Sequence, residues 1–238
     1  MSISDLLIDK TPKYELTIPS TQTQVKYRPF LVKEEKILLI AQESNDNTGI
    51  LEAIKTIIND CVEGISNAGE LPLFDVEYIF LQLRAKSVGE LIEPTILCPE
   101  TKEKVELQVD IGELEVQFNP EHTKEIKISN DIVVSMKYPS LNLLQENNHP
   151  IESSDPIAFY GLLVSCIDSI NTPQETVNSN NLPEKELEDF VDNLTKAQFE
   201  MLLAFFVTSP RLEHKTTYTT SEGETREVVL SGLADFFG

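Results

Sequence analysis

The run from Ile50 to Ile65 constrains the fold more than any other stretch. Ile50, Leu51, Ile54, Ile57, Ile58, Cys61, Val62 and Ile65 follow one another at spacings of three and four without a gap. That places them on one stripe of an α-helix. Such a stripe must be covered by other elements. The chain before it has the other periodicity. Tyr14 to Ile18 alternates apolar and polar, as do residues 24–28, and the turn-forming residues 19–23 lie between them. That pattern predicts a β-hairpin. Amphipathic helices beside short antiparallel hairpins make this an α+β chain.

Residues 33–41 read as a helix, with Ile37, Leu38, Ile40 and Ala41 on its apolar stripe; the consecutive charges Lys33, Glu34, Glu35 and Lys36 at its start form a solvated first turn, or else pair locally or across an interface. Leu71-Pro72 opens a helix carrying Val76, Ile79, Phe80 and Leu83, closed by Lys86 and Gly89. Residues 95–97 and 105–109 flank a polar turn and predict a second hairpin, and residues 126–128 and 132–134 predict a third strand pair. Asp155-Pro156 suits a helix start, and the spacing predicts a helix over 157–170, followed by a polar loop over 171–183. A short acidic helix over 184–191 and a Thr195-capped helix over 196–207, stopped by Pro210, come next. The last hairpin turns at Gly223, where positive φ is expected.

One order of elements occurs twice. Cys61-Val62-Glu63-Gly64-Ile65 and Cys166-Ile167-Asp168-Ser169-Ile170 each close an expected helix, and each is followed by helical aromatics and a hairpin. This predicts two similar helix-plus-hairpin lobes, residues 1–137 and 155–238, joined by a linker-like stretch over 138–154.

The 238 residues hold 19 Lys and Arg against 40 Asp and Glu, a net charge of −21. That balance opposes phosphate-driven binding of nucleic acid. The acid is uneven: residues 1–40 carry a net +1, residues 41–120 a net −11 and residues 121–238 a net −11. Cys61, Cys98 and Cys166 are too few and too scattered for a disulfide framework, and Cys61 and Cys166 fall on apolar helix faces as inert thiols. The N-terminal residues lack the basic start and apolar core of a signal peptide. No apolar run approaches the ~20 residues of a membrane span. The expectation is a soluble protein of a reducing cytosol.

The residues that chemistry requires are sparse. His122, His149 and His214 stand alone in polar surroundings, as surface residues. Cys98 sits at a hairpin turn where a zinc ribbon would begin, but no second knuckle follows. There is no phosphate-binding glycine loop and no nucleophile elbow. Glu184, Glu186, Glu188 and Asp189 run around a helix circumference, as a solvated face does. No catalytic residue, metal or cofactor is expected, nor a nucleic-acid, membrane or small-molecule partner. A binding or structural role follows.

Two segments are more specific than composition explains: residues 25–41, VKYRPFLVKEEKILLIA, and residues 71–90, LPLFDVEYIFLQLRAKSVGE. With KYPSL at 137–141 and LSGLADFF at 230–237, they make the chain, over residues 10–235, resemble the baseplate proteins of T4-like contractile-tailed bacteriophages. That family includes hub subunits and hub-assembly factors. The resemblance implies a non-enzymatic role in building the baseplate hub, with other hub or tail proteins as partners, in the host cytoplasm during assembly or in the virion baseplate. The alternative is a cytosolic tail-assembly chaperone or adaptor that does not remain in the virion. The nearly neutral N-terminal region is the expected partner-binding surface, through Tyr27, Arg28, Phe30, Lys33, Arg84 and Lys86. Arg28 and Arg84 are taken as exposed, so reversing both charges should leave the fold intact.

Overall fold

The alternating segment at 14–18 pairs as expected. In a computed structural model describing residues 10–43, 47–146 and 156–237, β1 (Tyr14–Thr17) lies antiparallel to β2 (Gln24–Tyr27), with Tyr14 opposite Tyr27. Chain contacts divide the protein into two units, residues 1–117 with 211–238, and residues 118–210.

In the first unit, α1 (Val32–Glu43) precedes α2 (Asn47–Cys61). The expected helix to Ile65 stops at Cys61 because the backbone beyond it is taken by β2. Val62 bridges Tyr27, the Arg28 N–H donates to the Cys61 carbonyl at 3.0 Å, and the Glu63 N–H donates to Lys26 at 2.8 Å. Gly64 then turns the chain at φ +85°, where a side chain would be strained. Helix α3 (Leu73–Ser87) is buried along most of its length, through Phe74, Val76, Ile79, Phe80 and Leu83. It packs against α2, whose Ile54, Ile57 and Ile58 are buried. The hairpin turn is tied to α3. The Ser20 N–H donates to Asp75 Oδ1 at 3.0 Å, the Ser20 hydroxyl donates to Oδ2, and Asp75 is fully buried.

Strands β3 (Leu91–Ile92) and β6 (Val109–Asp110) pair, as do β4 (Thr95–Leu97) and β5 (Lys104–Glu106). Strand β7 (Val116–Gln117) joins a three-stranded sheet with β12 (Arg211–Thr219) and β13 (Thr225–Ser231). The turn between β12 and β13 holds Gly223 at φ +83°, as the sequence predicts. A short helix α8 (Gly232–Phe237) packs against β13 and α3.

The second unit is built on a four-stranded antiparallel sheet ordered β11–β10–β9–β8. Its strands are β8 (Glu125–Lys127), β9 (Val133–Met136), β10 (Ile167–Asn171) and β11 (Thr176–Asn178). Its helices are α4 (Leu141–Glu146), α5 (Pro156–Ser165), α6 (Glu184–Asp192) and α7 (Lys196–Thr208). Thr195 and Gln198 form a capping box at the start of α7.

The helix expected over 157–170 ends at Ser165. Residues 167–171 instead pair with β9, with Ile167 and Ser169 buried and Asp168 exposed. Ile167 and Ile170 are three apart, which fits a helix stripe, but Ile-Asp-Ser-Ile-Asn also fits a strand, and pairing with Val134 and Met136 decides it. Cys61 therefore ends a helix, whereas Cys166 sits between a helix and a strand, so local structure differs at the two repeated motifs. The β12–β13 hairpin groups with residues 1–117. Within the stretch read as linker-like, residues 141–146 form α4 with Leu141 and Leu144 buried; residues 147–155 lie outside the described residues.

Candidate functional site

The residues singled out in the N-terminal region converge on one carboxylate. Pro29 breaks β2 and α1 begins two residues after Phe30. Leu31, just before the helix, has no side chain able to cap it. Glu34, in the first turn, takes that role, and its Oε2 accepts the Leu31 N–H at 2.7 Å. Its Oε1 accepts from Arg28 Nη2 at 2.8 Å and lies 3.1 Å from Lys33 Nζ. Arg28 also donates to the carbonyls of Pro29 and Asp60. Glu34 is 0% exposed and the Arg28 side chain 11%. Burial alone would push the Glu34 carboxyl up, but the bonds from Arg28, Leu31 and Lys33 outweigh it and hold it below the usual carboxylate range. Arg28 is raised, because its bond to Glu34 outweighs desolvation.

This corrects two expectations. Glu34 is not part of a solvated first turn, and Arg28 is not an exposed charge. Both are structural, and reversing Arg28 would place two carboxylates together in a buried site.

With Glu34 and Ala41 facing inward, seven residues apart, α1 presents its opposite side to solvent. That side carries Val32, Lys36, Leu39 and Glu43 in one line, flanked by Ile40. Val32 is 78% exposed, Leu39 55% and Ile40 57%. Of the four residues assigned to the apolar stripe, only Ala41 is buried and Leu38 is half-buried. The helix is thus turned so that a charge is buried and apolar side chains are not. Exposed apolar residues clustered this way make the edge a candidate interaction surface.

A groove of about 400 Å³ runs beside α1, lined by Glu35, Leu38 and Leu39 and by Arg84, Val88 and Ile92 among others. A second hollow shares Phe30, Glu35 and Val88 with it and adds Val32 and Lys33. Phe30 is 8% exposed and fixed to α3, since its N–H donates to Ser87 Oγ at 2.9 Å. Arg84, in the last turn of α3, is half-buried, and desolvation lowers its pKa.

The structure therefore brings Phe30 and Arg84 to the walls of the groove, and Phe30 and Lys33 to those of the second hollow. Tyr27 belongs to the core instead. It is 3% exposed, its ring lies 5.7 Å from that of Tyr14, and burial pushes its hydroxyl up to about 12. Lys86 pairs with Glu90 and stands over the Tyr14 ring at 5.7 Å. The residues missed in the sequence are Val32, Leu39, Ile40 and Val88. The spacing of Val32 and Leu39 by seven, with Lys36 and Glu43 interleaved, is the signal that carries them.

Elsewhere, His122 is half-buried rather than on the surface. Its Nδ1 lies 2.9 Å from Thr208 Oγ1, its ring stacks on Tyr138, and desolvation followed by Lys124 lowers its pKa. His149 lies outside the described residues. Cys61 and Cys166 are buried, and burial pushes both thiols up to about 12. Among the described residues no group of three His, Cys, Asp or Glu could hold a metal ion, and no helix is long and apolar enough to cross a membrane.

The baseplate hub assembly protein gp26 of Enterobacteria phage T4 is 25% identical over 228 residues, covering 94% of this chain and 98% of that protein. No solved structure matches. The family model for T4 bacteriophage base plate proteins matches residues 11–238, a span that takes in both units and every element described above, and the chain belongs to that family.

Proposed function

We propose that this chain is a non-enzymatic protein of the baseplate hub of a T4-like contractile-tailed phage, acting in hub assembly by protein–protein contact. The observation that carries the reading is the near end-to-end similarity to a hub assembly protein, across 98% of that protein's length. The physical picture supports it: the exposed apolar edge of α1 and the groove beside it offer a docking surface. That surface mixes Lys33, Lys36 and Arg84 with Glu35 and Glu43 on a chain of net charge −21, so it repels an acidic partner least.

The test is genetic. A phage lacking this chain should form no infectious tails, and the chain supplied in trans should restore them. Normal tails without it would overturn the reading. Probing purified virions for the polypeptide separates a hub component, which is retained, from an assembly factor that departs.

A further inference from the structure

Strand β13 is an open edge. Its sheet runs β13–β12–β7, and among the described residues no strand pairs with its outer side. The hairpin turn sets which backbone groups face out. There the Thr220 N–H donates to the Glu224 carbonyl at 2.9 Å, so these two form a hydrogen-bonded pair. Hydrogen-bonded and non-hydrogen-bonded pairs alternate along an antiparallel ladder. Arg226, Val228 and Leu230, opposite Tyr218, Thr216 and His214, therefore bond to β12. Thr225, Glu227, Val229 and Ser231 turn their N–H and C=O groups away from it. Ser231 agrees with this phase, because its N–H donates to Asp235 Oδ2 at 2.8 Å. The outward groups of Thr225, Glu227 and Val229 have no hydrogen-bond partner among the described residues. Sheet edges are ordinarily kept short or blunted by Pro, Lys or a bulge. The edge strands β8 and β11 of the four-stranded sheet have three residues each. Strand β13 has seven, TREVVLS, without Pro or Lys and with an unbroken register.

Charge along this edge selects its occupant. Glu227 lies mid-strand, exposed and outside every ion pair among the described residues. Asp235 sets a second carboxylate beside Ser231. The one cation of β13, Arg226, is engaged by Glu100 and Glu224. A second copy laid edge to edge would bring the same acidic groups, on a chain of net charge −21. A strand with Lys or Arg opposite Glu227 gains where an acidic one loses. We infer that β13 takes an added antiparallel strand from another protein, an extended segment with basic residues on the Glu227 face and apolar residues on the face of Val228 and Leu230. This surface includes no residue of α1 or of the groove beside it, and the inference does not depend on the assembly reading, which the phage lacking the chain tests separately.

The probe is the peptide acetyl-Thr-Val-Lys-Val-Lys-Val-Thr-amide, titrated into the isotope-labelled full chain while amide exchange is read residue by residue. Saturable binding is expected, with a Kd on the order of 1 mM. At saturation the Thr225, Glu227 and Val229 amides should exchange about tenfold more slowly, and those of Arg226, Val228 and Leu230 should not change, since they already bond to β12. No binding up to about 10 mM, or protection without that alternation, overturns the inference. N-methylation of the two peptide Lys residues, whose N–H groups face β13, should abolish binding, and N-methylation of the Val residues should not. The reverse pattern overturns the antiparallel pairing. Val229→Pro removes an outward N–H and no bond to β12, so the folded variant should lose the peptide; the N-methylated peptides test the same bonds on the native chain, whatever the stability of that variant. Glu227→Lys should weaken the Lys peptide about threefold and favour its Glu-for-Lys version. Equal binding of both peptides by the native chain overturns the basic partner. A dimer in sedimentation that the peptide dissociates assigns the edge to a second copy and overturns the inference.

Discussion

The Arg28 guanidinium meets the Glu34 carboxylate at 2.8 Å across the turn made by Pro29 and Phe30, and Glu34 has no exposed surface at all. The pair joins β2 to the first turn of α1 and fixes how that helix is rotated. Because Glu34 faces inward, Val32, Leu39 and Ile40 face out. The exposed apolar edge is thus a consequence of a buried charge.

Removing one partner should be costly. Glu34→Gln leaves Arg28 largely buried without its counter-ion, and Arg28→Ala leaves buried Glu34 with only the exposed Lys33, each a change worth up to ~3–5 kcal/mol. We expect a fall of ~10 °C in the melting temperature of the unit. A thermal scan of either variant checks it. A shift no larger than that of an exposed Lys36→Ala control would mean that the pair contributes little.

The same carboxylate sets an acid limit. The Glu34 pKa is held below its ordinary 4.5 in the folded chain, so its contribution is present above that value and is lost as pH falls through the folded-state pKa. Urea titrations at a series of pH values below 5 should show wild type losing stability more steeply than Glu34→Gln. Parallel curves would contradict the assignment.

Ser20 is expected to matter for one reason only, its two hydrogen bonds to buried Asp75. Ser20→Ala keeps the backbone bond but removes the hydroxyl's bond to the buried carboxylate. That costs ~1–3 kcal/mol. Stability of the variant, measured by urea unfolding, should recover in part when Asp75→Asn is added, because the amide demands fewer donors.

Much of the fold is legible in the sequence, and the limits have physical causes. The hairpin at Tyr14 to Tyr27 and the body of helix α2 announce themselves by local periodicity, although that periodicity runs on to Ile65 and the helix ends at Cys61. Strand β7 does not: Val116 pairs with Leu212, a partner almost a hundred residues away with no local trace. Strand β10 is ambiguous in itself, since Ile167 and Ile170 satisfy a helical spacing until their partners on β9 are known. At the candidate site, a run of four charges, Lys33 to Lys36, reads as solvated because burial of Glu34 depends on Arg28 folding back over Pro29. The orientation of α1, and with it the exposed edge, could not be read without that contact.

The three cysteines should differ in how fast they react in the folded chain. All are free and buried, so a disulfide reagent should react slowly with each in the folded chain. Hydrogen bonds from Thr101 and Tyr218 lower the Cys98 pKa to about 7, whereas burial holds Cys61 and Cys166 at about 12. Reactivity follows the thiolate. At pH 7.5 without denaturant, where those hydrogen bonds are intact, mass mapping should find Cys98 labelled first. Earlier labelling of Cys166 would show that unit 2 opens before the β4–β5 hairpin does.

Glu77 gives a pH dependence of the opposite sign to that of Glu34. It lies on α3, is 6% exposed, and accepts a hydrogen bond from the Leu233 backbone N–H in α8. Burial raises its pKa to about 8, and the single bond from Leu233 offsets only part of that. At neutral pH the carboxyl is therefore protonated in the folded chain and ionised in the unfolded one. A folded state that binds more protons loses stability as pH rises, here from the ordinary value of 4.5 towards 8. Glu77→Gln keeps an acceptor for Leu233 and removes the titration. The variant should match wild type near pH 4.5 and exceed it increasingly up to pH 8, by a few kcal/mol at most. Chemical unfolding at both pH values measures the difference. A constant gap between the two proteins would mean that Glu77 is already charged in the folded state, and an unstable variant at every pH would mean that the bond to α8 requires the acid itself.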